Sequence, residues 1–320
     1  MDKKMKYAIA IDIGGTNIPV SLVASDGKIL KTINKTTPKA SKPEILIDVL
    51  NKSIDEIKAY FKKEFAGAKI SGIGLGAPGA LDLKKGLIIT SPNLKSWKNV
   101  AIVKMLKDIS KLPVYMDNDA NLAAIAEHWL GAGKGFKNII VLTLGTGVGG
   151  GIIINNKIYR GSHGTAGEIG HITIIEKGEL CACGNYGCLE AYASANATTK
   201  RALNKLEKTT IRSSLRNIEP EQLSAKTIYM HAKNGDKFSR DILNESGRYL
   251  GIGIANLANI FDPDAIIIGG GFSKAEEFLI PAAVSEAYKR SFKTIMDKLI
   301  ISSAKLGNNA GIVGAAKLAL

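Results

Sequence analysis

The feature that most constrains this chain is a glycine-rich turn joining two apolar runs, and it occurs twice. Residues 139–144, IIVLTL, form the β-branched run expected of a buried strand. Gly145-Thr146-Gly147 follows, and 150–154 reads as a second strand. Residues 7–23, YAIAIDIGGTNIPVSLV, repeat that order, with Asp12 and Gly14-Gly15-Thr16 at the turn. Asp12-Ile13-Gly14-Gly15-Thr16 lies over Thr143-Leu144-Gly145-Thr146-Gly147. Such self-similarity predicts a duplicated unit. Glycine allows positive φ and close backbone approach, so successive N–H groups can converge on one anion. A single turn of this kind is an ordinary hairpin; two of them predict tips that grip a polyphosphate from both sides. A third cluster, Gly269-Gly270-Gly271, follows the apolar strand pattern at 265–268.

Gly145, Gly147 and Gly150 formally match G-x-G-x-x-G, as do Gly74, Gly76 and Gly79. That fingerprint needs a helix after the turn. A strand follows the first match and 80–85 reads as loop after the second, which argues against a dinucleotide site. No G-x-x-x-x-G-K-[ST] run is present, which excludes a P-loop kinase.

Every thiol in the chain falls within eight residues, as Cys181-x-Cys183-x4-Cys188, ten residues after His171. Three thiolates and one imidazole make the closed four-ligand set that structural zinc prefers. Gly184 and Gly187 let the loop wrap an ion. A disulfide framework would favour an even count and a secreted chain. The short charged start, 1–6, has no apolar segment behind it, which predicts no signal peptide and a cytoplasmic protein with reduced thiols. No apolar run approaches the roughly 20 residues of a membrane span.

With 320 residues there is room for two domains and a sizeable core. The net charge of +14 raises nucleic acid as a partner. Only seven of the 43 basic residues are Arg, and the lysines are scattered without interleaved aromatics. A solvated lysine surface that attracts anionic nucleotide is the better reading, because nucleic-acid binding needs a focused patch. Along the chain, 29–34 completes a three-strand meander. Residues 42–65 form an amphipathic helix with Ile45, Leu46, Val49, Leu50, Ile54, Ile57 and Phe61 on its apolar face. Residues 70–75 make a buried strand, and Ser91-Pro92-Asn93-Leu94 a loop. From 196 the chain is mainly helical (196–205, 226–234, 237–261, 276–288), with strands at 265–268 and 298–302 and a last helix at 311–320.

Residues 114–116 form a strand that runs into Asp117-Asn118-Asp119-Ala120-Asn121, where a helix starts with Leu122, Ala123, Ile125, Ala126 and Trp129 on one face. One Asp or Asn there is an ordinary N-cap. Four polar residues exceed what capping requires, and a carboxylate at such a junction suits a general base. By chemistry alone Asp117 and Asp119 compete for that role.

Gly167-Glu168-Ile169-Gly170-His171, the run Cys181-Ala182-Cys183-Gly184-Asn185-Tyr186-Gly187-Cys188-Leu189-Glu190, the 12–16 turn and Asn118-Asp119-Ala120-Asn121 together resemble the signature of the ROK family (repressors, open reading frames and kinases). The resemblance runs from about residue 6 to the end. It implies an α/β, two-domain actin-like ATPase (ribonuclease H-like) fold with mixed sheets and an interdomain cleft: a small domain, 1–117 plus 306–320, and a large domain, 118–305, carrying the zinc loop. It implies ATP-dependent phosphorylation of a hexose, with glucose ahead of N-acetylglucosamine, N-acetylmannosamine, fructose and allose. Asp119 becomes the base, and Asn118, Asp119, Glu168, His171 and Glu190 bind the sugar, with Asn93 at its border. Gly14, Gly15, Thr16 and Asn17 with Gly145, Thr146 and Gly147 cradle the phosphates, Asp12 holds hydrated Mg²⁺, and Gly269, Gly270 and Gly271 lie against adenosine. Zn²⁺ on His171, Cys181, Cys183 and Cys188 is structural, holding Glu168 and Glu190 from behind. The implied partners are a small-molecule sugar, nucleotide and a second copy of the chain in a homodimer, with no nucleic acid and no membrane. A sugar-responsive repressor would need a DNA-binding segment ahead of Tyr7, where only six residues stand, and a zinc-ribbon nucleic-acid module does not need so long a chain.

Overall fold

In the computed structural model, which describes residues 5–38, 42–91, 94 and 96–320, two sheets repeat one plan. The chain opens with β1 (Tyr7–Asp12), β2 (Asn17–Ala24) and β3 (Ile29–Thr36), then α1 (Pro43–Glu64), β4 (Ile70–Gly76), a three-stranded sheet of β5 (Ala80–Asp82), β6 (Leu87–Thr90) and β7 (Lys98–Val100), α2 (Ile102–Ser110), β8 (Val114–Asp117) and α3 (Asp119–Leu130). It continues through β9 (Ile139–Leu144), β10 (Val148–Ile154), β11 (Lys157–Ile158), α4 (Glu190–Ala193), α5 (Ala195–Lys208), α6 (Ala225–Lys233), α7 (Lys237–Phe261), β12 (Ala265–Gly269), α8 (Glu276–Arg290), α9 (Lys293–Met296) and β13 (Ile300–Ser303), and closes with α10 (Ala310–Ala319).

The first sheet has the order β3-β2-β1-β4-β8 and the second β11-β10-β9-β12-β13. In each, an antiparallel meander is extended by two parallel strands beyond its first strand. The register matches as well. Asp12 pairs with Gly76 at the end of β4, and Thr143 with Gly269 at the end of β12. The alignment of Asp12 with Thr143 therefore has a structural counterpart.

Two compact units result: residues 1–131, 160–166 and 308–320, and residues 132–159 and 167–307. Within the first unit the two faces of β1 differ in size. Tyr7, Ile9 and Ile11 face a core with Leu46, Leu50, Ile54 and Ile57 of α1. Ala8 and Ala10 face Leu122 of α3 and Ile312, Ala315 and Ala316 of α10. That packing groups α3 with the first unit, whereas the boundary read from sequence, 117/118, assigns it to the second. Five of the residues between Ala120 and Ala126 are buried, so α3 is too apolar all round for one face to reveal its partner. In the second unit Ile140, Leu142, Ile266 and Ile268 share a core with Ile242, Leu243, Leu250 and Ile254 of α7.

Two local expectations change. Ala80–Asp82 is a strand rather than loop. The buried face of α1 is centred on Leu46, Ile47, Leu50, Ile54, Ile57 and Phe61, which leaves Ile45 50% exposed beside the helix start.

Candidate active site

In the first unit the in-register pairs Asp12–Gly76 and Gly76–Asp117 bring the ends of β1, β4 and β8 level. Two carboxylates thus flank a glycine, and α3 begins just beyond them. A Cβ on Gly76 would stand 3.0 Å from Asp12 Oδ1, and one on Gly311 of α10 would collide with Asp12 Oδ2. The Asp12 carboxylate therefore occupies a slot that only glycine leaves open. Burial, and then the negative charge of Asp119, push its pKa up to about 6. Burial also raises Asp119, against the opposing effect of the Ala120 N–H, which donates to Asp119 Oδ1 at 2.9 Å.

Asp117 is different. Its side chain is fully buried, and Arg160 donates to Oδ2 through Nη2 at 2.6 Å and Nε at 2.9 Å. Oδ1 accepts from the Asn118 N–H at 2.9 Å and from Asn121 Nδ2 at 2.8 Å. Both oxygens are held, so Asp117 anchors the junction. Asn118 caps α3, its Oδ1 accepting from the Asn121 N–H at 2.7 Å, which leaves the amide nitrogen as its group for a ligand. The turn after β1 is braced by Thr37, whose Oγ1 donates to the Gly14 carbonyl at 2.7 Å and whose N–H donates to the Thr16 carbonyl at 2.8 Å. Gly15, Thr16 and Asn17 are exposed at its tip. Asn93 lies outside the described residues.

In the second unit the matching turn is closed by the Gly145 N–H on the Gly147 carbonyl at 3.0 Å. Glu190 is fastened beneath it: Oε2 accepts from the Val148 N–H at 2.8 Å, and a Cβ on Gly147 would occupy that oxygen's place. The N–H of Ala195 donates to the Gly145 carbonyl at 2.9 Å, so α5 starts on the turn itself. Beside it opens a cavity of about 1040 Å³, whose walls include Gly145, Thr146, Thr199, Lys200, Tyr229 and Gly271. This is at the upper end of the size of small-molecule sites. Of the third glycine cluster only Gly271 lines the cavity. Gly270, at φ 92°, lies too close to the Leu144 backbone for any side chain, and a Cβ on Gly269 would be 2.9 Å from that of Ala304. Packing alone leaves no room for a side chain at those two glycines.

The four residues expected to hold zinc come together, their donor atoms all within 4.8 Å of one another. His171 Nδ1 is 3.7 Å from Cys181 Sγ, and Cys183 Sγ is 3.7 Å from Cys188 Sγ. Ligands about 2.3 Å from a tetrahedral zinc stand at separations close to these, so the donors fit a closed zinc set. Gly184 at φ 92° and Gly187 at φ 76° supply the left-handed turns of the loop. Burial pushes the Cys188 thiol up to about 12, a cost that a bound cation reverses because it takes the thiolate. Glu190 Oε1 lies 3.8 Å from Cys181 Sγ, which joins the cluster directly to the glycine turn. Glu168 is exposed, its carbonyl accepts from the His171 N–H at 3.0 Å, and it borders a cavity of about 440 Å³ with Ile169, Asn256 and Phe261.

Sequence reasoning missed Arg160, Lys200 and Gly311, and it named Asn121 without its hold on Asp117. No motif announces Arg160, which acts through a single ion pair distant in sequence. Lys200 follows from helical spacing once Ala195 is known to start on the turn.

The model of the ROK family matches residues 8–320, and the chain belongs to the ROK family, with the mixed α/β, actin-like ATPase fold of its kinases. It is 37% identical to the glucokinase of Streptomyces coelicolor over 98% of each chain. It resembles the solved structure of a ROK family glucokinase from Streptomyces griseus in complex with glucose and AMPPNP, with a TM-score of 0.79 and 35% identity over 98% of each chain. It also resembles a ROK family transcriptional regulator, a homologue of the E. coli MLC protein, with a TM-score of 0.86 and 28% identity over 98% of this chain and 78% of that one. Among the described residues no helix is long and apolar enough to cross a membrane.

Proposed function

We propose that this chain is an ATP-dependent hexose kinase acting foremost on glucose, giving glucose 6-phosphate, with N-acetylglucosamine, N-acetylmannosamine, fructose and allose as the alternatives. The observation that carries the reading is the contrast at the β8–α3 junction. Asp117 is consumed by Arg160 and Asn121, while Asp119 is desolvated and faces Asp12 with no ion pair of its own among the described residues. A desolvated carboxylate with a raised pKa is suited to accept the proton of an attacking hydroxyl. Asp119 takes that role, and Asn118, Glu168, His171 and Glu190, with Asn93, bind the sugar hydroxyls. The large cavity beside Gly145 and Thr146 takes the nucleotide, with Gly14, Gly15, Thr16, Asn17 and Gly147 on its phosphates. Asp12 holds hydrated Mg²⁺, which neutralises charge on the phosphates. Zn²⁺ is structural, because four protein ligands leave no open position. The enzyme works as a cytoplasmic homodimer.

A second reading, a sugar-responsive regulator, is favoured by the likeness to the transcriptional regulator. An ATP-consumption assay across a hexose panel, run beside a gel shift with mixed DNA, separates the two. Turnover with a hexose and no shift is the expected result. A shift without turnover on any sugar removes the kinase reading, and a kcat/KM well above that of glucose for another hexose changes the substrate alone.

A further inference from the structure

Helix α5 carries the large cavity on one side and a second, smaller one on the other. The second is about 390 Å³, within the size range of small-molecule sites. Its wall on α5 repeats at three- and four-residue spacing: Lys200, Arg201, Lys205 and Lys208 face it together. Lys200 and Asn204 line both cavities. Opposite stand Tyr192 and Tyr249, their ring centroids 4.7 Å apart and the planes inclined at 42°.

The charges do not cancel within the cavity. Lys200 pairs with Glu179 at 2.8 Å, and Lys205 with Glu245 at 2.6 Å. Glu245 is shared, since its Oε2 is also the carboxylate oxygen 3.7 Å from Arg201 Nε. Four cations thus face two carboxylates. Arg201 is largely buried and anchored by Nη1 on the Tyr192 carbonyl at 2.9 Å and by Nη2 on Ser246 Oγ, while its Nε is buried with no hydrogen bond. Its guanidinium lies 5.4 Å from the Tyr249 ring centroid. The lysines near the end of α5 complement the helix dipole. That accounts for Lys205 and Lys208, but not for an arginine held largely buried at the wall of a cavity with an aromatic side, sharing its one carboxylate with Lys205.

We propose that this cavity is a binding site for a small phosphate monoester, distinct from the large cavity. The phosphate is held by Lys205, Lys208 and the Arg201 guanidinium, the last at a place where two positive charges exceed the local carboxylates. The organic part packs on the Tyr192 and Tyr249 rings. A dianion suits the surplus of two better than a carboxylate does, and the ring wall favours an ester over inorganic phosphate.

The test uses the full, zinc-loaded chain and isothermal titration with glucose 6-phosphate and with inorganic phosphate, each with and without AMPPNP and Mg²⁺. Glucose 6-phosphate is expected to bind saturably in both conditions, more tightly than inorganic phosphate. The double variant Lys205→Gln/Lys208→Gln, both of whose changes avoid the large cavity, is expected to weaken that binding at least tenfold. Its unchanged thermal unfolding would exclude a folding defect, and Tyr249→Leu is expected to weaken the ester while sparing inorganic phosphate. Absence of saturable binding, or equal binding by wild type and the double variant, overturns the proposal. The loss in the double variant reads the site whether or not the chain is a kinase, because Lys205 and Lys208 line only this cavity, so failure of one reading is distinguishable from failure of the other.

Discussion

At the residue scale the two aspartates around Asn118 separate by partner. Asp119→Asn keeps the size and most of the hydrogen-bonding reach of the side chain but removes the proton acceptor. It is expected to lower kcat by about 10²–10⁴-fold with little change in sugar affinity, as read by steady-state kinetics and equilibrium binding. Asp117→Asn leaves Arg160, whose side chain is 35% exposed, beside a buried amide; the cost is below the ~3–5 kcal/mol of a fully buried pair, and its principal effect is on the unfolding midpoint. If Asp117→Asn abolishes turnover in a stably folded protein while Asp119→Asn turns over normally, the base is the other carboxylate. Asp12 gives a pH test. Its folded pKa, about 6, exceeds the reference value of 3.8, so the folded chain holds the extra proton between those values. Stability from this group is therefore present at low pH, falls as pH rises through about 6, and stays lower above. Asp12→Asn removes the penalty. It is expected to stabilise the metal-free chain at pH 8 by up to about 3 kcal/mol and to do little at pH 4, by thermal unfolding in chelator. Equal shifts at both pH values would rule out titration of Asp12 as the cause.

At the element scale the cysteine loop was the part most legible in sequence, because metal ligands must converge whatever the fold around them. Its spacing named the four residues whose donor atoms gather within 4.8 Å. What spacing could not give was the tie from Cys181 through Glu190 to the Val148 N–H, which joins the loop to a backbone group 42 residues away from Glu190. Strands β5 and β7, three residues each, are too short for alternation to register, and α2 mixes Ile102 and Leu106 with lysines in only nine residues. The tie to Glu190 makes a prediction. Cys183→Ala removes an exposed ligand whose own packing contribution is small, so any large effect must pass through the metal. One Zn²⁺ per chain is expected in the wild type by elemental analysis. In the variant it is expected to be lost, with a lower unfolding midpoint and lower activity together. A wild type without zinc, indifferent to chelation, would refute this.

At the scale of the whole molecule, the duplicated turn in the sequence corresponds to two sheets with one topology, but the assignment of helices to units was only partly legible. Helix α10 was expected with the first sheet and lies there; α3 was assigned across the boundary, since its burial is not confined to one stripe. The physical reason both helices fit is the small-residue face of the sheet, where Ala8 and Ala10 of β1 continue into Gly72 and Gly74 of β4. A Cβ on Gly74 would run into the backbone carbonyl of Ala315, a group that no rotamer change can move. Gly→Ala inside an ordinary strand or helix is favourable by roughly 0.5–1 kcal/mol, because alanine loses less conformational freedom on folding. Gly74→Ala should reverse that sign, costing about 1–3 kcal/mol as an overpacked contact. Ile312 and Val313 contribute roughly 3–6 kcal/mol of burial, so α10 should loosen rather than detach. The measurement is hydrogen exchange followed by peptide mass. Exchange is expected to accelerate in α10 and β4, while the peptides of the cysteine loop in the second unit keep wild-type protection. Unchanged protection of α10, or a higher unfolding midpoint, would mean that the close approach of helix and sheet does not constrain position 74.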